Sequence, residues 1–154
     1  DYGVLLNEKK KLRYHYHILE KQFRRLVDEA SRAKGNSGEV LMQYLERRLD
    51  NVVRRAGLAR TIWAARQLVA HGHVIVNGTK TDIPSFRVKV GDTITLKPKI
   101  HKMVRESMET LAGHDVPGWL STNPSELTVK IVSLPAPDEI PFDVNTNLIV
   151  EFYR

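Results

Sequence analysis

Apolar residues recur at helical spacing over the first half of the chain. Steps of three and four residues separate the apolar positions of 7–33 and of 38–56, which predicts an amphipathic helix in each range. A shorter helix is predicted over 62–71, because Thr61 is a suitable N-cap and Gly57 separates it from the preceding helix. The last two helices are therefore expected to form a compact helical hairpin.

The pattern changes to alternation after residue 73. The run Val74-Ile75-Val76 leads into Asn77-Gly78, a pair typical of a two-residue β-hairpin turn. Over 86–90 three apolar residues alternate with two cations, and the apolar ones, Val90 included, are expected to face the core. The remaining predicted elements are a strand over 93–96, a helix over 99–112, and strands over 128–132 and 148–152. Together these elements predict an α+β protein.

Charge is divided unevenly along the chain. The net charge of +6 combines 22 basic and 10 acidic residues in 1–105 with 2 basic and 8 acidic residues in 106–154. The first part thus carries +12, an excess typical of a surface that binds a polyanion. Arginine is concentrated over 47–66, and its planar guanidinium suits bidentate contact with phosphate. A nucleic acid is therefore the expected partner.

Several function classes find no support in the sequence. The chain has no cysteine, which excludes disulfides and thiolate metal sites, and its six histidines lack a third ligand at metal spacing. No apolar run approaches the length of a membrane span, and no secretory signal is present. Nucleophile elbows, glycine-rich phosphate loops and paired catalytic acids are absent. We therefore expect a protein that is not an enzyme, has no metal or cofactor, and has no membrane partner.

Two residue types within the basic region allow more than one role. Asp50, the one acid among these arginines, is expected to form an ion pair that orients Arg47 or Arg54. Trp63 and Trp119 either pack in the core or stack on nucleobases, and packing is favoured for Trp63. The helical hairpin has the pattern of a helix-turn-helix DNA reader, but its second helix offers few base-reading side chains. Recognition of folded RNA through shape and phosphate fits the surface better.

Residues 46–96 resemble the RNA-binding module that a bacterial ribosomal protein shares with some pseudouridine synthases, some tyrosyl-tRNA synthetases and a heat-shock protein. The matching runs are RLDNVVRRAG at 48–57, ARQLVAHGHV at 65–74, VNG at 76–78 and DIPSFRV at 82–88. The flanks resemble the bacterial small-subunit ribosomal protein S4 family, through DYG at 1–3, EKKK at 8–11, RAKGNSGE at 32–39 and NLIVEFY at 147–153. The resemblance covers essentially the whole chain in the right order.

This resemblance implies two domains. A helical domain with short C-terminal strands is formed by 1–44 with 97–154, and the inserted module, 45–96, packs a helical hairpin on a short β-sheet. The implied function is a structural constituent of the small ribosomal subunit that binds the 5′ domain of its RNA at a helix junction, nucleates assembly, and lies near the messenger entry and decoding region. The implied partners are small-subunit ribosomal RNA, neighbouring small-subunit ribosomal proteins, and messenger RNA near the entry channel. The implied location is the ribosome in the cytoplasm.

The predicted RNA contacts are basic and polar residues of the hairpin, of the first helix and of the helix over 99–112. They are Lys9, Lys10, Arg13, Arg47, Arg48, Asn51, Arg54, Arg55, Arg60, Arg66, Gln67, His71, Lys80, Arg87, Lys102 and Arg105. The chain departs from the family at Ile62, where many modules carry an arginine after the N-cap, so Arg60 is the expected substitute. Family members usually carry a further upstream segment, absent from this sequence, which in some of them holds a cysteine zinc site.

Two other function classes stay open from the residues alone. An RNA-modifying enzyme carries such a module beside a catalytic domain, which would have to lie outside this chain. A helix-turn-helix regulator would instead prefer duplex DNA of defined sequence.

Overall fold

A computed structural model of the chain describes residues 2–111, 113–140 and 145–153, and divides the chain into two compact units. The helical unit comprises residues up to Glu46 and residues from Ala136 onward, and the module unit is Arg47–Pro135. The described helices are α1 (Tyr2–His15), α2 (Glu20–Arg32), α3 (Ser37–Glu46), α4 (Leu49–Arg55), α5 (Ile62–Ala70), α6 (His101–Glu109) and α7 (Thr146–Tyr153). The strands are β1 (Val74–Val76), β2 (Thr79–Lys80), β3 (Thr93–Leu96), β4 (Leu120–Asn123) and β5 (Thr128–Ile131). The predicted α+β class is confirmed.

The helical unit packs α1, α2, α3 and α7 around one apolar core. Buried side chains from all four helices form it, and they include Leu12, Phe23, Val27, Leu41, Leu45 and Ile149. Gly38 allows α3 and α7 to approach closely, since a Cβ at this position would lie 2.9 Å from the backbone nitrogen of Asn147. The basic residues predicted to contact RNA in this unit therefore lie on a tightly packed bundle.

The helix predicted over 7–33 is instead two helices, because the backbone changes direction at His17. His17 adopts a left-handed φ of 51°, and Arg13 Nε donates a 3.0 Å hydrogen bond to the Ile18 carbonyl. After this turn, different positions along the chain point toward the core than the continuous helical pattern predicted. Ile18 is consequently buried, whereas Leu19, which the helical pattern placed in the apolar stripe, is 75% exposed.

The strand predicted over 148–152 is wrong, because this segment forms α7. Asn145 Oδ1 accepts a 3.1 Å hydrogen bond from the backbone nitrogen of Leu148, a contact typical of a helix N-cap. Ile149 and Val150 then lie together in the core of the helical unit. A run of β-branched residues suggested a strand, but packing against a helical core decided the outcome.

The module unit packs α4 and α5 on one face of an antiparallel sheet in the order β2-β1-β3-β5-β4. Asn77 and Gly78 have φ values of 51° and 83°, so the predicted two-residue hairpin turn between β1 and β2 is confirmed. The N-cap of α5 is also confirmed, since Thr61 accepts a 3.0 Å hydrogen bond from the backbone nitrogen of Ala64. The helical hairpin is thus held by its own cap and by the sheet beneath it.

The helix predicted over 38–56 is broken at Arg48, which has an extended backbone with φ −62° and ψ 138°. Strand-like contacts with the segment before β3 cause the break. The backbone nitrogen of Leu49 donates to the Phe86 carbonyl at 2.8 Å, and Arg48 forms a β-bridge with Arg87. Within this segment Val88 is buried, but Val90 is exposed and so does not face the core as predicted.

The division of the chain differs from the predicted one after residue 97. β5 pairs with β3, with Ile94 opposite Val129, so β5 and its hairpin partner β4 extend the module sheet. Val104 of α6 and the unpredicted strand residue Leu120 lie in the same core. The range 97–135 therefore belongs to the module unit, and only 136–154 joins the helical unit.

The helix predicted over 99–112 is shorter in the structure. A 3₁₀ turn, Pro98–Ile100, precedes α6, which ends at Glu109, and Ala112 lies outside the described residues. Met103 is exposed, whereas Ile100 and Val104 are buried in the module core.

Candidate nucleic-acid interface

A buried aspartate organises the arginines at the start of α4. The Asp50 side chain is 1% exposed and accepts two hydrogen bonds from Arg48, from Nε at 3.2 Å and from Nη2 at 3.1 Å. It accepts a third from Arg66 Nε of α5, at 3.1 Å. The ion pair expected at Asp50 is therefore present, but its partners are Arg48 and Arg66 rather than Arg47 or Arg54.

Two of the residues predicted to contact RNA are instead buried inside the module unit. Arg48 is buried with its guanidinium against Asp50, and Asn51 is fully buried in the first turn of α4. Arg48 fixes the start of α4 through Asp50, and neither of the two side chains lies on the surface of the hairpin. The sequence pattern missed this because a single acid among many arginines does not reveal which of them it faces.

The outer face of α5 carries the accessible polar groups of the hairpin. Ile62, Ala65, Leu68 and Val69 are buried toward the core, so their neighbours on the helix point to solvent. Trp63 is 61% exposed, and the Arg66 guanidinium lies over its ring at 5.4 Å from the centroid. Arg60 and Gln67 are also exposed. Trp63 therefore does not have the packing role that the sequence favoured.

Two more predicted contacts lie at the end of α5 and on the β-hairpin. His71 and Lys80 are exposed, and the Lys80 side chain passes beside Gly72, where an added Cβ would lie 3.4 Å from its Nζ. Lys80 therefore lies close to the C-terminus of α5. Residues 51–81 contain no acidic residue, so the cations of this surface face no carboxylate from their own segment.

Most of the other predicted residues of the module unit donate hydrogen bonds to backbone carbonyls or are half-buried. Arg47 Nε donates to the Val88 carbonyl at 2.8 Å, and Arg105 Nη2 donates to the Ser125 carbonyl at 2.7 Å. Lys102 is exposed on α6. The half-buried members of the set are Arg54, Arg55 and Arg87.

His73 lies beside this surface and resists protonation. Burial lowers the pKa of His73 below its ordinary value of 6.5, and the positive charges of Lys99, His71 and Lys97 lower it further. Its ring is 6.3 Å from that of His71. The His73 imidazole is therefore harder to protonate than an ordinary histidine.

In the helical unit, two of the three predicted cations are held by Glu20. Glu20 accepts hydrogen bonds from Lys9 Nζ at 2.8 Å, from Arg13 Nη1 at 3.0 Å and from the Tyr153 hydroxyl at 2.9 Å. Burial opposes the charge on Lys9, but the bonds to Glu20 and Tyr153 outweigh it and raise the lysine pKa. Burial likewise opposes charge on Glu20, yet Lys9 and Tyr153 lower its pKa. Lys10 alone of the predicted three is exposed.

Sequence reasoning missed a basic groove between α2 and α7. Lys21, Arg24 and Arg25 line it beside Phe152 and Tyr153, and Asp28, an acid that also lines it, is paired with Arg32. The Arg24 guanidinium lies over the Tyr153 ring, 5.6 Å from its centroid. Spacings of three and four residues place the three cations on one helix face, and this signal was available in the sequence.

Within 2–111, 113–140 and 145–153, no three His, Asp or Glu side chains come together as a metal site. Across the same described ranges, every helix is too short or too polar to cross a membrane.

Comparisons with known proteins agree on one assignment. Residues 1–46 match the model of the ribosomal protein S4/S9 N-terminal domain, and residues 47–94 match the model of the S4 domain. The chain is 49% identical over 156 residues to the small ribosomal subunit protein uS4 of Persephonella marina, covering 99% of this chain and 76% of that protein. It is 50% identical over 155 residues to the protein of the same name from Methylobacillus flagellatus, covering 99% of this chain and 75% of that protein.

Proposed function

Because this chain belongs to the small ribosomal subunit protein uS4 family, we propose that it binds the 5′ domain of small-subunit ribosomal RNA at a helix junction and nucleates assembly there. It is a structural constituent of the small ribosomal subunit that binds ribosomal RNA, and it is not an enzyme. It acts in the ribosome, which in bacteria is cytoplasmic. Its partners are ribosomal RNA and other ribosomal components.

The observation that carries the proposal is the exposed basic stretch of the module unit. Arg60, Gln67, His71 and Lys80 are exposed there within a stretch, 51–81, that has no carboxylate. Arginines and lysines presented together, without intramolecular acids, attract phosphates and release their counterions on binding. This surface therefore supports RNA contact through the phosphate backbone.

The buried ion pairs of Asp50 supply the rigidity that shape recognition needs. Asp50 ties α4 to α5 through Arg66 and fixes the start of α4 through Arg48. A surface whose cations are held at set spacings matches one arrangement of phosphates better than others. We infer that the module reads the shape of folded RNA rather than a base sequence.

The helical unit is proposed to make the second RNA contact of the junction. Its exposed Lys10, with the basic groove of Lys21, Arg24 and Arg25, offers phosphate contacts separate from those of the module. Binding by both units to different RNA helices would hold the angle between those helices. We further propose that the bound protein lies near the messenger entry and decoding region, beside other small-subunit proteins and in reach of messenger RNA, and that it has no membrane partner.

Direct binding separates this function from general affinity for polyanions. The test compares a folded 5′-domain fragment of small-subunit ribosomal RNA with duplex DNA of equal length, with magnesium present and at two salt concentrations. We expect binding to the RNA to persist at the higher salt while binding to the DNA is lost. The logarithm of affinity should fall by roughly 0.7–0.9 per logarithm of salt for each phosphate engaged. Equal and equally salt-sensitive binding to both would show that only the charge is recognised.

A further inference from the structure

Helix α5 exposes a tryptophan beside the basic residues Arg60 and Arg66. Trp63 lies in the first turn of α5, and the residue is 61% exposed although tryptophan is usually buried. Trp119, the other tryptophan of the chain, is fully buried in the module core. A large apolar ring left mostly in water contributes little to folding beyond its contact with Arg66, so a role in binding explains Trp63 better.

The surroundings of Trp63 are those of a base-binding platform. The Arg66 guanidinium lies over the ring at 5.4 Å from its centroid, and Asp50 holds Arg66 in place through its Nε. Arg60 is exposed at the start of the same helix, and Gln67 is exposed one turn further along. An aromatic ring, a fixed guanidinium and a nearby amide are the groups that bind an unpaired nucleobase by stacking and hydrogen bonding.

We propose that Trp63 stacks on an unpaired nucleobase of the bound ribosomal RNA, with Arg66 and Gln67 beside it. This inference rests on the proposed function and adds to it one contact that is not with phosphate. The ligand is a single-stranded base at a bulge, loop or junction of the RNA. Bases inside a regular duplex present only their edges and cannot cover the ring.

Charge favours RNA over a protein as the occupant of this surface. Residues 51–81 include Arg54, Arg55, Arg60, Arg66 and Lys80 but no acid, and Asp50, which holds Arg66, is buried, so the exposed charge of this stretch is positive. A protein partner would have to bring several carboxylates to neutralise them. An RNA strand brings a phosphate with every base, so it supplies the counter-charge and the stacking partner together.

The test measures binding of the folded 5′-domain RNA fragment to the whole chain and to three variants. Trp63→Leu removes the aromatic ring but keeps an apolar side chain, and Trp63→Phe keeps a ring. Val90→Ala is the control, because Val90 is also an exposed apolar residue of the module unit. Thermal unfolding of each variant shows whether the fold is kept.

We expect Trp63→Leu to weaken RNA binding by about ten-fold or more, Trp63→Phe to restore most of it, and Val90→Ala to match the wild type. The slope of affinity against salt should stay unchanged in Trp63→Leu, since no phosphate contact is lost. Tryptophan fluorescence gives a second readout. RNA should quench the emission of the wild type and leave that of Trp63→Phe, which comes from buried Trp119, nearly unaltered.

The outcomes separate this inference from the function on which it rests. If the wild type fails to bind the RNA fragment, the proposed function is overturned. If the wild type binds but Trp63→Leu binds equally well, the stacking contact is overturned and the function stands. Unchanged RNA affinity with lost binding to a neighbouring ribosomal protein would assign Trp63 to a protein interface instead.

Discussion

Replacing Asp50 by alanine is expected to lower the free energy of unfolding of the module unit by about 3–5 kcal/mol, the usual cost of removing one partner from a buried ion pair. The side chains of Asp50 and Arg48 are 1% and 6% exposed, so the variant leaves a guanidinium in the interior without its carboxylate. Arg66 loses the contact that holds its Nε. Both effects act on the packing of α4 against α5.

Chemical denaturation of the variant measures this loss, with two controls. Asp82→Ala removes an exposed carboxylate of the same unit and should change stability by less than about 0.5 kcal/mol. The double variant Asp50→Ala, Arg48→Met removes both buried charges, and we expect it to recover much of the lost stability. A loss below about 1 kcal/mol in Asp50→Ala would contradict the role assigned to this ion pair.

Reversing the charge of Arg60 and Lys80 together is expected to weaken binding to the 5′-domain RNA on the order of 100-fold, since charge-assisted contacts contribute about 1.5–3 kcal/mol each. Both side chains are exposed, one at the start of α5 and one on the β1–β2 hairpin. The salt slope should fall by roughly 0.7–0.9 for each phosphate contact removed. Because neither residue is buried, the fold should be kept.

Lys130→Glu is the matched control for this reversal. Lys130 is exposed on β5 between the buried residues Val129 and Ile131, so it lies on the sheet face opposite to the helical hairpin. The control reverses one charge, half the change made in the double variant, at a site away from the proposed interface. A loss of affinity as large in Lys130→Glu as in the Arg60 and Lys80 variant would mean that net charge, not this surface, governs binding. Arg66 is unsuited to the test because Arg66→Glu would set a second carboxylate beside Asp50.

Local sequence signals predicted the parts of the fold that local interactions decide. The N-cap Thr61 and the Asn77-Gly78 turn each act within a few residues of the chain, and both appear in the structure as expected. The apolar spacing over 38–56 was also real, but it could not show the break at Arg48. That break depends on hydrogen bonds to the segment around Phe86, which is distant in sequence.

The incorrect predictions for the C-terminal third also concern elements that are decided by contacts between residues distant in sequence. Whether 148–152 becomes strand or helix depends on the core it packs against, and Ile149 fits a helical bundle. β4 went unpredicted because its residues, Leu120–Asn123, alternate only weakly, and pairing with β5 defines the strand. The family resemblance located the module at 45–96, and the S4 domain model matches 47–94, but the sheet continues beyond this range because β3 pairs with β5.

The sequence indicated which residue types form the basic surface, but it did not indicate which of those residues are exposed. The basic character of the surface followed from composition, but burial of Arg48 and Asn51 did not. The pairing of Asp50 with Arg48 and Arg66 depends on how α4 and α5 pack, and the spacing of residues along the chain does not show it. Conversely, the exposure of Trp63 contradicts its apolar chemistry, and only the structure shows that the helix turns it outward.

The most direct test of the central claim is a titration of the protein alone, without other ribosomal proteins, against the 5′-domain helix junction in two forms. In one form the junction is intact, and in the other its arms are separate RNA hairpins of the same sequence. If the protein is a primary binder that holds the junction, it should bind the intact form at least about 100-fold more tightly, because only that form engages both contact surfaces at once. Equal affinity for the intact junction and for its separated arms would contradict this account.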